Sequence, residues 1–219
     1  MAQKSYYLMI DTETAGGLNA PLCYDVGIAI IDKKGIVYKS YSLVVAEIFY
    51  GEKKLMQSAY YANKIPMYYQ HIKGGQKKVK SFWEIWRLIL TLINHFNVKA
   101  VIAHNASFDE KAINNTLSYV SNGLYKTFIP REVPIWCTLS MARSTICCQP
   151  TYINWCKANG YLTAKGQPRA TAEILYRYIS HNNDFIESHT GLQDVLIEKE
   201  IFVRCLRQHK KMNKNPIYR

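Results

Sequence analysis

The sequence predicts an α/β fold, a mixed five-stranded sheet flanked by helices. Residues 5–45 contain three apolar, β-rich stretches, the second and third joined by turn residues. The rest of the chain alternates helical periodicity with short apolar stretches. A hairpin inside an otherwise helix-connected sheet gives mixed strand directions with helices on the faces.

Ser5 to Ile10 reads as a buried strand, and Val26 to Ile31 as a second. Asp32-Lys33-Lys34-Gly35 supplies a turn into a third strand, Ile36 to Val45. Residues 46–80 follow no clear pattern. They are rich in Lys and Tyr, carry Lys53-Lys54 and Lys77-Lys78-Val79-Lys80, and have a flexible point at Gly74-Gly75. They read as an insertion. Ser81 to Phe96 is the best helix, with Ser81 and Glu84 at capping-box spacing. Its Phe82, Ile85, Trp86, Ile89, Leu92, Ile93 and Phe96 share one apolar face. Lys99 to Ala103 makes a fourth strand, ended by His104-Asn105, and Phe108 to Tyr119 a helix. Val133 to Cys137 makes a fifth strand. Helices follow at Leu139 to Arg143, Ile153 to Ala158, Ala172 to Ile179 and Gly191 to His209. With no internal repeat or low-complexity linker, the 219 residues are expected to form one domain, residues 1–219.

The formal net charge is +12 and the pI about 9.4, which suit a polyanionic partner, either nucleic acid or an acidic membrane surface. The competing explanation is a solvated surface in a chain whose Lys, Asn, Ile and Tyr reflect low-GC coding, as in a phage or a low-GC bacterium. The first apolar run stops at Asp11, too short for a signal peptide, and Leu88-Ile89-Leu90 is broken by Thr91, too short for a membrane span. A cytoplasmic setting, in a bacterial cell or a phage-infected host, is the expectation. The six cysteines are then read as thiols. A zinc module on Cys147, Cys148 and Cys156 is the rival reading, but paired C-x-x-C knuckles and a nearby His are missing.

Asp11 and Glu13 stand at the end of an apolar run in this positive chain. Spacing alone means little, since 16 acidic residues produce about one i, i+2 pair by chance, and Glu198/Glu200 is another. On a strand, however, period 2 puts Asp11 and Glu13 on one face, whereas on a helix Glu198 and Glu200 point different ways. Further along, AHNASFDE carries Asp109 and ESHTGLQD carries Asp194. A His five residues before an Asp occurs twice, as His104/Asp109 and His189/Asp194, where composition predicts about 0.16 occurrences. Taken singly, each helix-start Asp could simply stabilise a helix dipole.

DTET, AHNASFD and HTGLQD, in that order, resemble the three exonuclease motifs of the DEDD superfamily in its His variant, the DnaQ-like family of the proofreading epsilon subunit and ribonuclease T. The resemblance covers most of the chain and includes CTLSMAR after the fifth strand. It departs where Ala15-Gly16-Gly17 follows DTET, whereas Gly191 fits the small residue two positions after the third-motif His. Residues 46–80 have no clear family counterpart.

The resemblance implies a ribonuclease H-like sheet and removal of nucleotides from 3′ ends of single-stranded DNA or RNA with two Mg²⁺ or Mn²⁺ ions. Such hard cations prefer oxygen ligands, and two of them compensate charge on both sides of a phosphodiester. Asp11, Glu13, Asp109 and Asp194 would hold the metals, Asp11 bridging, and His189 would serve as general base. Crowded carboxylates repel one another, so the site is expected to be loose without metal. Candidate substrate contacts are the backbone of Thr14, Gly16 and Gly17, Leu18 as a wedge, Asn105, and Phe108 as a stacking residue. His104, the rival base by spacing, is given a substrate or structural role. Lys and Tyr of residues 46–80 would follow a single strand. The alternatives are a nucleic-acid-binding or proofreading subunit that needs a DNA polymerase, and an RNA-processing exoribonuclease. DNA is favoured. An oligomer is compatible with either.

Overall fold

The computed structural model describes residues 4–218. Strand β1 (Tyr6–Ala15) pairs antiparallel with β2 (Leu22–Asp32), which pairs antiparallel with β3 (Val37–Val45). Short strands β5 (Val101–Ala103) and β6 (Ile135–Cys137) extend the other side in parallel. A sixth strand, β4 (Lys78–Lys80), lies parallel to β3, giving the order β4-β3-β2-β1-β5-β6. The sheet therefore has six strands rather than the expected five. β4 is three residues of Lys-Val-Lys with only Val79 partly covered, too short and too charged to stand out in the sequence. Its lysines suit an exposed sheet edge.

The first strand is longer than its apolar run. Asp11 to Ala15 continue the ladder with β2, and the register shifts by a bulge between Glu13 and Thr14. The polar residues do not end the strand, because β2 supplies their backbone partners. Bulges of this kind re-aim side chains at functional sites.

Alternation along β1 divides the core. Leu8 and Ile10 pack with Val26, Ile28 and Ile30 against Phe82, Ile85 and Ile89 of α4 (Phe82–Phe96) and Ile113 of α5 (Ala106–Val120). Tyr7 and Met9 face the other way, onto Val195, Ile201 and Phe202 of α9 (Gly191–Leu206). This second layer also holds α6 (Thr138–Ser144), α7 (Pro150–Ala158) and α8 (Ala172–Ser180). By parity Asp11 and Glu13 face α9, while Thr12 faces α5. The capping box of α4 forms: Glu84 N donates to Ser81 Oγ at 3.2 Å and Ser81 N donates to Glu84 Oε2 at 3.0 Å. The last helix ends at Leu206, three residues short of His209, and the chain beyond it lies against β6, where Cys137 N donates to the Lys214 carbonyl at 2.8 Å.

Residues 46–80 are ordered: α1 (Ala46–Phe49), α2 (Lys53–Gln57), a 3₁₀ turn at Ala62–Lys64, α3 (Ile65–Lys73) and then β4. Tyr68 of α3 is fully buried against Tyr24 and Phe49. The Tyr richness that obscured the pattern in sequence is in part a packed aromatic cluster.

The start of α9 crosses β2 at very close range. A Cβ on Gly27 would lie 2.0 Å from the Gly191 carbonyl carbon, and one on Gly191 would lie 2.5 Å from Gly27 N. Both obstacles are backbone and cannot swing aside. Gly27→Ala is therefore expected to cost roughly 3 kcal/mol of stability, the top of the usual overpacking range. Gly17→Ala, in open space, is the control in urea denaturation and should lie within about 0.5 kcal/mol of the parent.

Candidate active site

The Gly27–Gly191 contact brings the first turns of α9 over the carboxylates of β1. Asp11, Glu13 and Asp194 each offer a carboxylate oxygen, and these three atoms lie within 4.8 Å of one another. Asp109 approaches from α5 on the opposite face. Its Oδ1 accepts from Thr12 N at 3.0 Å and from Thr12 Oγ1 at 2.8 Å. Thr12 thus ties the middle of DTE to the second motif, while its neighbours on either side face the third. Asp194 Oδ1 accepts from Ser188 Oγ at 3.3 Å.

Glu198 completes the floor, and the sequence reading passed over it. Its pairing with Glu200 is indeed a chance spacing, but Glu198 lies one helical turn beyond Asp194, and i, i+4 shares a face. The side chain is buried, and its Oε2 accepts from His104 N at 3.1 Å. An acidic i, i+4 pair on an amphipathic helix, with its second member on the apolar face, was the available signal.

Packing these carboxylates together raises their pKa values. Removal from water is the largest cause for Asp11, followed by the charges of Glu198, Asp109, Glu13 and Asp194; its carboxyl is held well above the ordinary range. Glu13 is pushed up to about 9 by burial, then by Asp194 and Asp25. Burial lifts Asp109 to about 7 despite its Thr12 hydrogen bonds, and Asp194 also to about 7. Glu198 is raised strongly by burial and then by Asp109. An all-oxygen donor set with this much unrelieved repulsion fits hard divalent cations, which remove the repulsion by binding.

His189 stands beside this cluster, in a neighbouring group with Glu173 and Glu187. Its Nδ1 is 3.8 Å from Glu187 Oε2, and its ring lies flat on Tyr61. Burial, then the Lys64 ammonium, lowers its pKa. The imidazole is thus neutral near pH 7 and able to take a proton.

His104 fits the structural one of the two roles expected for it. Nδ1 lies 2.9 Å from Thr138 Oγ1 and Nε2 lies 2.9 Å from the Ala170 carbonyl. Burial lowers its pKa to about 4. Both ring nitrogens are bonded to the protein, so His104 links β5, α6 and the segment before α8, and the residue also lines the cleft shared by Asn105 and Phe108.

Of the other candidates, Leu18 (80% exposed), exposed Asn105 and half-buried Phe108 line one cleft of about 1150 Å³, which extends to Arg143, Arg169 and Glu198. Thr14, Gly16 and Gly17 lie between the bulge and Leu18 without lining that cleft. Gly16 needs its glycine, with φ +89°.

Asp25 is the other residue that sequence reasoning missed. It pairs with Glu13 across the ladder and is fully buried. Its Oδ2 accepts from Lys77 Nζ at 2.6 Å, Tyr68 OH at 2.7 Å and Gly191 N at 3.1 Å. One carboxylate oxygen thereby joins Tyr68 and Lys77, β2 and the start of α9. No local motif marks it, because its partners lie at residues 68, 77 and 191. The six cysteines are free thiols, and the metal-competent groups among the described residues contain carboxylates and His189 without cysteine.

The fold is that of the ribonuclease H-like exonucleases. E. coli exonuclease I in complex with a 5cy-dT13 oligonucleotide matches 94% of this chain with a TM-score of 0.59 and 15% identity. The zinc-bound form of its single-stranded DNA complex matches 95% with a TM-score of 0.52 and 15% identity. This chain spans 41% and 42% of those two chains, respectively. No protein-family model and no curated protein sequence matches it. No helix among the described residues is long and apolar enough to cross a membrane.

Two predictions follow from the electrostatics. Lys77→Met strands the Asp25 charge in the interior and should cost about 3–5 kcal/mol in urea denaturation, with Asp25→Asn on the same background recovering part of the loss. The second concerns pH. Glu13, Asp109 and Asp194 have folded-state pKa values of about 9, 7 and 7, above their unfolded values near 4. The folded protein then binds more protons than the unfolded chain, so stability in EDTA falls as pH rises from about 4 through 7 towards 9. Calorimetric Tm should show this decline, and Mg²⁺ should raise Tm more at about pH 8 than at about pH 5.

Proposed function

We propose that this chain is a metal-dependent 3′→5′ exonuclease of the DEDDh type, acting on single-stranded DNA and releasing nucleoside 5′-monophosphates. The observation that carries the reading is the convergence of Asp11, Glu13 and Asp194 on one point, from a strand and a helix far apart in the sequence, with Asp109 tied in through Thr12. The DNA preference rests on the solved neighbours, whose crystals hold deoxyoligonucleotides.

Asp11, Glu13, Asp109 and Asp194 would hold two Mg²⁺ or Mn²⁺ ions, which supply charge compensation at the phosphate and at the departing 3′ oxygen. The protein does the rest. His189, neutral near pH 7, takes the proton from the attacking water. Glu198, buried one turn beyond Asp194, would add negative charge beneath the site once bound cations draw its proton off. The last nucleotide would lie in the cleft beside Leu18, Asn105 and Phe108. The base can meet the apolar side chains, and Arg143, Arg169 and Lys111 supply positive charge along the cleft. Exposed Tyr60, Lys53 and Lys54 offer a stacking and phosphate surface on the insertion. Electrostatic steering by the +12 chain would draw the polyanion in.

The test is digestion of a 5′-labelled single-stranded oligodeoxynucleotide, with an RNA of the same sequence in parallel. Stepwise shortening with Mg²⁺ and none with EDTA is the expected result. Asp11→Ala should lower the rate about a thousandfold, since several kcal/mol of metal-borne stabilisation are lost. His189→Ala should lower it by a factor of about 10²–10⁴. No hydrolysis by the pure protein in Mg²⁺ or Mn²⁺ would overturn the proposal, in favour of a binding subunit that works with a polymerase.

A further inference from the structure

We propose that Tyr61 and Lys64 are positioning residues for His189, so that the segment carrying them is part of the hydrolytic machinery rather than an appendage. The inference rests on His189 being the base of that hydrolysis.

The geometry is specific. The Tyr61 and His189 rings are stacked, with centroids 4.4 Å apart and planes 16° from parallel. Lys64 Nζ donates to the Ser188 carbonyl at 2.5 Å and lies 4.5 Å from the centre of the Tyr61 ring. One lysine thus holds both the ring beneath the imidazole and the peptide before it.

His189 needs such support. Its φ is +48°, in the left-handed region that side-chain-bearing residues rarely enter. Such conformations persist where the surroundings over-determine them, and they cluster at functional sites. The contact from Glu187 does not fix the ring, because 3.8 Å to Nδ1 is too long for a hydrogen bond. Glu173, the other acid of that group, is committed to an ion pair with Arg177. The flat face of Tyr61 is what limits rotation of the imidazole.

The clamp itself is anchored. Tyr68 and Lys77, from the same segment, bond to the Asp25 oxygen that also receives Gly191 N. Residues 188–191 are therefore held at both ends by residues 61–77, at Ser188 through Lys64 and at Gly191 through Asp25. Charges around the ring are Lys64, Glu187, Glu173 and, one turn into α9, Asp194. Lys64 faces these acids and partly balances them, lowering the pKa values of Glu13, Glu187 and Asp194.

The experiment is a double-mutant cycle read in single-turnover hydrolysis of the labelled oligodeoxynucleotide with Mg²⁺. Tyr61→Phe keeps the aromatic face and should act within about twofold of the parent. Tyr61→Leu keeps apolar bulk without that face. It should lower kcat by about ten- to a hundredfold, the usual cost of a misplaced catalytic group, with KM changed by less than about twofold. Lys64→Met should lower kcat in the same direction. On a His189→Ala background, Tyr61→Leu should cause no further loss, because its effect passes through the imidazole. An equal loss on both backgrounds, or a Tyr61→Phe variant as impaired as Tyr61→Leu, would overturn the proposal. Proton NMR of the His189 ring separates this from the hydrolytic reading. Upfield-shifted ring protons that relax in Tyr61→Leu support the clamp even where the parent protein hydrolyses nothing, a result that overturns the hydrolysis alone. Unshifted ring protons overturn the clamp whatever the activity.

Discussion

The arrangement of this protein depends on two backbones meeting without side chains between them. Gly27 on β2 and Gly191 at the start of α9 leave no room for a Cβ on either. That contact sets the depth at which α9 lies on the sheet. The position of Asp194 opposite Asp11 and Glu13 follows from it, and Glu198 follows one turn later. With a wider spacing the carboxylates would sit apart in water as ordinary solvated groups. At the observed spacing they share one partly dry volume, and the repulsion between them is of the kind that a bound cation would relieve.

The charge of the chain is distributed against its total. A molecule with a formal net charge of +12 concentrates seven carboxylates, those of Asp11, Glu13, Asp25, Asp109, Glu187, Asp194 and Glu198, around the inner strands β1 and β2 and the start of α9. Two lysines reach into this region, and both come from residues 46–80: Lys77 onto Asp25, and Lys64 beside Glu13, Glu187 and Asp194. Residues 46–80 thus supply internal counter-charge to this cluster. Buried ion pairs seldom add much net stability, but they enforce a particular arrangement when one partner holds several donors, as Asp25 does.

Local patterns made much of this legible in the sequence. The Ser81/Glu84 cap and the apolar face from Phe82 to Phe96 depend on neighbours within a turn or two, and they form as read. The DTET, AHNASFD and HTGLQD motifs each carry their acid within a few residues of a turn or a helix start. What escaped reading depends on pairing across the fold. Asp25 looks like any polar residue in a strand until Lys77, Tyr68 and Gly191 are placed around it. Glu198 was compared with Glu200, its neighbour in sequence, when its neighbour on the helix is Asp194. β4 has too few residues for periodicity to act on, and it exists because β3 offers it an edge. For His104 the sequence leaves a substrate and a structural role open, and only the bonds from both ring nitrogens to Thr138 and the Ala170 carbonyl, distant in sequence, favour the structural one.

The two histidines show how surroundings separate residues of the same type and spacing. Each precedes an aspartate by five positions. His104 has two fixed partners and a pKa lowered to about 4, which leaves it neutral, saturated and structural. His189 is 31% exposed at its side chain, has no partner within hydrogen-bond distance among the described residues, and rests on an aromatic face. A base must have an unshared lone pair, access to water and a fixed orientation. His104 has the orientation without the lone pair. His189 has the lone pair and the access, and in the proposed role the stack on Tyr61 would provide the orientation without occupying a nitrogen. A stacked aromatic ring can fix the plane of an imidazole while leaving both of its nitrogens open to water.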